Sequence, residues 1–305
     1  MPRLIDVGEG EGDAIGLDEL FETLDASPVD VRDEDAFASL GPLLARLGRN
    51  RSFLADLAAA ELEKRCARQS AQNGYGAQVL LLRPPGGRYL LRANFWPAAG
   101  DAVTRASGAA AFFYGMPHDH NFPFLTHGYF GPGYWSDYYD YDVAPLAGLP
   151  GEAAGLRFVQ RARLEPGQVM LYRMRRDIHV QLPPDSFSVS LNIMGADPAQ
   201  PWLDQYRFDV ARGTIAEILT HSASEALVAI AAHLGGRGGE LAAHLARTHP
   251  CDRMRAAAVR ALAAAAPDRC EAHAILARAA ASPRAQLAGL ARGWLTELEL
   301  FAASA

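Results

Sequence analysis

The stretch MPHDHNFPFLTHGYFGPGYWSDYYDYD, residues 116–142, holds the residues of this chain best suited to chemistry. It places His118, His120 and His127 among tyrosines, in a protein otherwise rich in alanine. In an extended chain, residues i and i+2 point to the same side. His118 and His120 therefore aim two imidazoles into one space, with Asp119 on the other face. Two imidazoles are an incomplete ligand set, and His179, in the strand-like stretch DIHVQL, is the natural third. Three neutral imidazoles suit iron, copper, nickel or zinc, and leave positions open for substrate or oxygen. NFPFLT follows His120 with no carboxylate. A three-histidine set is expected, and dependence on 2-oxoglutarate is disfavoured.

Other polar residues fall into step with these. Gln181 shares a face with His179, and Ser188, Ser190 and Asn192 share one face of FSVSLNIM. If that face is the cavity, they contact substrate or orient the imidazoles; if it is the outside, they meet solvent. Val189, Leu191 and Ile193 alternate with them and would pack against a second sheet or under flanking helices. Arg92, His127, Tyr129 and Tyr134 are candidate substrate contacts, while the remaining tyrosines suit ordinary strand positions. Asp137, Asp140 and Asp142 read as a solvated loop, with attraction of a cationic substrate group as the alternative. His221, His233, His244, His249 and His273 read as surface or capping residues.

The HDH pair, the Pro166-Gly167 turn in LEPGQVMLYRM and the later His179 resemble the two motifs of the cupin superfamily. The likeness covers roughly residues 76–200. PHDHNF, Gly131 and IHVQLPPDSFSVSLNIM, with YLLRANFWP before them, are similar to the cysteine dioxygenase group of thiol dioxygenases. The resemblance implies a double-stranded β-helix, ferrous iron held by His118, His120 and His179, and molecular oxygen as co-substrate. Ser190 matches the first residue of that group's serine–histidine–tyrosine relay, but Asn192 and Met194 stand at the next two positions. These departures set thiol oxidation apart from the metal site, which is intact. Arg83 and Arg92 are candidates for that group's carboxylate clamp.

The elements that must position these residues fall into three zones, taken as domains 1–75, 76–215 and 216–305. The first is helical, with apolar residues at helical spacing, breaks at Gly41-Pro42 and Gly48, and Ser52 as an N-cap. The second reads as short strands separated by Gly/Pro turns, including a Pro-Pro-Gly-Gly turn at 84–87 and a hairpin near Arg212-Gly213. Such a pattern predicts a sandwich or barrel. The third is a series of short alanine/leucine helices, read as a HEAT-like or armadillo-like stack or as a compact helical cap. The fold class expected is α+β: a cupin jelly-roll barrel with helices at both ends.

Composition narrows the function. A hydrophobic share of 50% supports a core, and a net charge of -6 argues against nucleic acid or anionic membranes as partners. Three cysteines without a CxxC pair argue against a disulfide framework or cysteine-rich zinc site and fit a reducing cytoplasm. The acidic, glycine-rich N-terminus lacks the apolar region of a signal peptide. Arginine in excess of lysine and abundant alanine suggest a GC-rich bacterial gene. The expected function is oxygen-dependent oxidation of a small molecule or peptide side chain by a non-heme iron enzyme. The alternative is a non-redox or non-catalytic cupin that binds a metal or ligand, with the helices as an interaction module. A homodimer is left open.

Overall fold

In a computed structural model the chain folds as two compact units. One comprises Met1–Val143, Gly155–Gln200 and Arg207–Gly213; the other comprises Ala144–Ala154, Pro201–Tyr206 and Thr214–Ala305. The structure describes residues 1–8, 12–76, 78–83 and 86–303. Pro84 and Pro85 of the expected turn, and residues 9–11 of the acidic N-terminus, lie outside the described residues.

The first unit is built on antiparallel strands: β1 (Arg3–Ile5), β2 (Val79–Leu81), β3 (Tyr89–Trp96), β4 (Phe124–Phe130), β5 (Trp135–Asp140), β6 (Arg157–Arg163), β7 (Val169–Tyr172), β8 (Asp177–Leu182) and β9 (Ser188–Gly195). Six of them form one sheet in the order β1-β7-β4-β9-β3-β2, and three form a second in the order β6-β5-β8. Both sheets contribute side chains to one interior cluster, including Trp96, Phe124, Met170, Tyr172 and Met194 from the first and Tyr138 from the second. Antiparallel sheets enclosing one interior, with helices alongside, make the unit α+β, as the sequence predicts.

Alternation along β9 decides what each face does. Val189, Leu191 and Ile193 join a second cluster with Leu91, Leu125 and Leu171, covered by Leu20, Leu24, Phe37, Leu44, Leu47 and Phe53 from the N-terminal helices. Leu91, Leu171, Leu191 and Ile193 are each 0% exposed, and each such side chain adds roughly 1.5–3 kcal/mol of burial. The helices thus seal the back of the large sheet. Ser188, Ser190 and Asn192, on the opposite face, are left for the interior.

Those helices span Leu17–Ala26, Glu34–Ala38, Gly41–Arg49, Phe53–Glu63 and Ala67–Gln72. One detail differs from expectation. Ser52 makes no side-chain cap; the Asn50 carboxamide oxygen instead accepts from the backbone N–H groups of Ser52 and Phe53, at 3.3 and 3.2 Å. Gly48 is the penultimate residue of the helix Gly41–Arg49, beside the expected break before Phe53. A Cβ there would fall 2.3 Å from the His127 ring, so its missing side chain is what lets the helix lie on β4.

The second unit is mostly helical, with helices Ala223–Leu234, Arg237–Thr248, Asp252–Ala264, Arg269–Ala280 and Ala285–Ala303. The helix Asp252–Ala264 has two buried faces. Met254, Ala258 and Ala261 pack with Val228, Ala232 and Ala242, while Ala256 and Val259 pack with Leu276, Leu287 and Ala291. Arg253 is buried and donates to Asp204 at 2.8 Å while also pairing with Glu225. Strand Thr214–Ile218 belongs to this unit, while Gly213 before it, at a φ of +69° that suits glycine at the expected turn, and most of strand Tyr206–Asp209 belong to the first. Among the described residues no helix is long and apolar enough to cross a membrane.

The packing at Gly48 yields a prediction with an unusual sign. At an open helical site, alanine is favoured over glycine by about 1 kcal/mol. Gly48→Ala should instead destabilise the protein by about 1–3 kcal/mol, because the added methyl meets a buried ring. Urea unfolding measures the change, and a gain in stability would contradict the packing described.

Candidate metal centre

The two halves of the ligand set meet through a single backbone bridge. His118 lies on an extended segment and not in a full strand. Its N–H donates to the His179 carbonyl at 3.2 Å, and the His179 N–H returns to the His118 carbonyl at 3.1 Å. Directly opposed residues present their side chains on the same face, so this bridge brings the two imidazoles together. The segment is held on its far side as well, where the Phe208 N–H donates to the Pro117 carbonyl at 2.9 Å. The His120 carbonyl accepts from the Arg175 N–H at 2.8 Å. Asp119 alternates to the other side and accepts from the Tyr141 hydroxyl at 2.6 Å.

The ring centres of His118 and His179 are 4.4 Å apart, those of His118 and His120 4.9 Å, and those of His120 and His179 5.1 Å. One nitrogen from each ring lies within 4.8 Å of the others. The Nδ1–H of His118 donates to the Met116 carbonyl at 2.8 Å, which leaves its Nε2 lone pair free. Nδ1 of His120 and both ring nitrogens of His179 are buried without a hydrogen-bond partner. Each such orphan costs about 1–3 kcal/mol unless something binds it. Burial pushes the His118 imidazole down to about 4. Burial also holds His120 and His179 well below the ordinary histidine range, with repulsion from His118 adding to it. All three are therefore neutral near pH 7, which is the form that binds metal. The donor set fits a metal ion.

The walls follow from strand register. Arg92, Asn192 and Thr126 lie side by side across β3, β9 and β4, with Asn94 and Ser190 paired one step along. The Arg92 Nε, Asn94 Oδ1 and Asn192 Oδ1 atoms are buried and have no hydrogen-bond partner, and the buried Thr126 hydroxyl lies by the Tyr134 phenol. Burial lowers the Arg92 guanidinium from its usual value, and it lies over the Tyr75 ring at 5.0 Å. Ser190 accepts from Trp96 Nε1 at 3.0 Å. On β8, Gln181 is buried with Oε1 unpartnered. Tyr138, opposite His179 in the ladder, shares a 3.0 Å hydroxyl contact with Tyr172, whose ring centre lies 4.9 Å from that of His179. Burial raises the phenols of Tyr134, Tyr138 and Tyr172, so all three stay protonated.

The structure thus brings His118, His120, His179, Gln181, Ser190, Asn192, Arg92 and Tyr134 to one interior. It does not bring His127 or Tyr129 there. Strand alternation turns both to the helical side of β4, where His127 lies against Gly48 and Tyr129 donates to the Asn50 carbonyl at 3.0 Å. The Arg83 side chain pairs with Asp25 at 2.7 Å. Asp137 and Asp140 are strand residues paired with Arg161 and Arg157 on the neighbouring strand. Sequence reasoning missed Asn94, Thr126, Tyr138 and Tyr172. The alternation Arg92-x-Asn94-x-Trp96 was the available signal for the first of these.

No protein-family model matches the chain, and no curated protein matches its sequence. Among solved structures, a chain described under DMSP lyases RdDddP and RnDddQII overlaps 40% of this chain at 13% identity and a TM-score of 0.22. Hydroquinone 1,2-dioxygenase PnpCD, in complex with Cd2+ and 4-hydroxybenzonitrile, overlaps 43% at 10% identity and a TM-score of 0.24. DMSP lyase DddQ from Ruegeria pomeroyi overlaps 65% at 12% identity and a TM-score of 0.24. The matches span 44%, 71% and 78% of those chains, so less than half of the first is covered. Overlaps this loose carry no argument about activity or ligand.

Buried histidines set a pH dependence. Burial, then the charges of Arg51 and Arg49, push His127 down to about 4. Below the unfolded value of about 6.5 the unfolded chain takes up a proton that the folded chain refuses until about 4. Stability from this group is therefore full above that unfolded value and is lost as pH falls. Between pH 7 and pH 5 the metal-free wild type should lose about 2 kcal/mol more than His127→Gln. Equal losses in urea titrations at the two pH values would contradict the burial of a neutral imidazole there.

Proposed function

We propose that this chain is a cupin-type, non-heme iron(II) oxygenase acting on a small molecule or a peptide side chain in the cytoplasm. The observation that carries the reading is the meeting of three neutral imidazoles in an enclosed interior, with buried nitrogens that have no partner in the protein. Ferrous iron held by His118, His120 and His179 would supply open positions where oxygen and substrate meet. Among the described residues no carboxylate joins the cluster, which supports a three-histidine reading.

The chain's own residues have separate tasks. Arg92, Asn192 and Asn94 present unpartnered polar atoms on one wall, suited to orienting a polar group of the substrate. Gln181 does the same from the opposite sheet. Trp96, Phe124 and Met194 exclude water, which strengthens every electrostatic contact inside. The hydroxyls of Tyr134, Tyr138 and Tyr172 remain protonated and can donate to a developing negative charge.

The second reading, a metal or ligand binder without redox chemistry, draws on Ser190, Asn192 and Met194. Ser190 is engaged by Trp96, and the other two positions lack the histidine and tyrosine of the thiol dioxygenase relay. Oxygen uptake separates the readings.

Two outcomes are expected. Replacing any one of His118, His120 or His179 by alanine should remove most of the bound iron, measured by elemental analysis of tag-free protein, while urea unfolding stays cooperative. Full occupancy in all three variants would place the metal elsewhere. Iron-loaded wild type given free cysteine should consume oxygen slowly or not at all, since the relay is absent. Rapid stoichiometric formation of cysteine sulfinate would overturn that expectation.

A further inference from the structure

Phe113 breaks a backbone rule next to a metal ligand. Its φ of +59° and ψ of +15° lie in the left-handed region. A bulky non-glycine residue there stores about 1–3 kcal/mol of strain. The ring is 52% exposed, so burial returns little of that cost. Its neighbours hold it in place. Phe112 and Tyr114 are each 7% exposed in the interior cluster, and the Tyr114 hydroxyl donates to the Pro97 carbonyl at 2.8 Å. Gly108 and Gly115, both at positive φ, bound the segment. The Gly115 N–H donates at 2.9 Å to the carbonyl of Gln181, on the same strand as His179.

The Phe113 ring centre lies 6.4 Å from that of His118, within the range of aromatic contact. His118 itself is only 5% exposed. An apolar ring is thus held against its backbone preference, half in solvent and half against a ligand. Natural strain of this kind persists only where the surroundings enforce it, and it clusters at functional sites.

Resting on the metal-binding reading, we propose that Phe113 is the outer wall of the three-histidine site, shielding the bound ion from bulk water and controlling access to it. The residue touches a ligand and not the reacting atoms, so its role is positional. Removing the ring opens the site to water and to chelator, and leaves the histidines and the interior cluster in place.

The test uses cobalt(II) as the probe, loaded into the full chain and withdrawn by excess EDTA while its absorption is followed. Phe113→Gly should release cobalt about tenfold faster than wild type. Its melting temperature should be unchanged or higher, because glycine accepts the backbone angle and little buried area is lost. Phe113→Ser keeps the strain without the ring and should release cobalt as fast as Phe113→Gly. Phe113→Leu keeps an apolar cover and should stay near the wild-type rate. Equal rates for the leucine and serine variants would overturn the proposal, as would a glycine variant that melts lower and releases cobalt no faster. A wild type that retains no cobalt would instead remove the metal-binding reading, and this inference with it.

Discussion

Three imidazoles held close together in a dry interior are an unfavourable arrangement on their own. None can be protonated cheaply, and His120 Nδ1 and both nitrogens of His179 receive nothing from the protein. Each unsatisfied atom costs free energy that no other contact at that atom recovers. Much of the first unit can be understood as the frame that enforces this arrangement. The bridge between His118 and His179 fixes two rings, and the Arg175 N–H fixes the backbone of the third. A bound cation turns the same arrangement from a cost into a gain, because the lone pairs it meets are already free and already aimed.

The frame works because each strand has two faces with different tasks. On β9, three branched apolar residues anchor the sheet to the N-terminal helices, and that burial holds the opposite face rigid. The opposite face then carries polar residues at low exposure: Ser188 at 1%, Ser190 at 1% and Asn192 at 2%. Ser188 and Ser190 are satisfied within the protein, by the Gly133 N–H and Trp96 Nε1, while Asn192 Oδ1 is left without a partner, as few buried polar atoms are. Strand β4 obeys the same rule in reverse. Its Thr126 joins the polar wall, while His127 is turned outward into the space that Gly48 leaves free.

The ligand set was legible in the sequence because imidazole chemistry and strand geometry constrain it jointly. An i, i+2 pair and a later strand histidine leave few arrangements, and His118, His120 and His179 meet as expected. The strands after residue 157 were legible from alternation and Gly/Pro turns, although β1 was too short to register. What failed was the assignment of faces in the crowded stretch after His120. His127 and Tyr129 are two residues apart and share a side, but nothing local says which side faces the histidines. Tertiary packing against Gly48 and Asn50 makes that choice. Tyr138 and Tyr172 were hidden for the opposite reason, since tyrosine suits any strand and gave no signal of its own. Ser52 illustrates a third cause: a good capping residue is bypassed when a carboxamide two positions earlier already serves the same N–H groups.

X-ray absorption on the metal-loaded protein reads the ligand atoms around the bound ion. It therefore tests the central claim, a single ion held by His118, His120 and His179, more directly than any activity. The account predicts one metal per chain with three imidazole ligands, the remaining positions being filled by light atoms from solvent. A first shell containing sulfur, a shell with fewer imidazoles, or a metal bound in less than stoichiometric amount would contradict it.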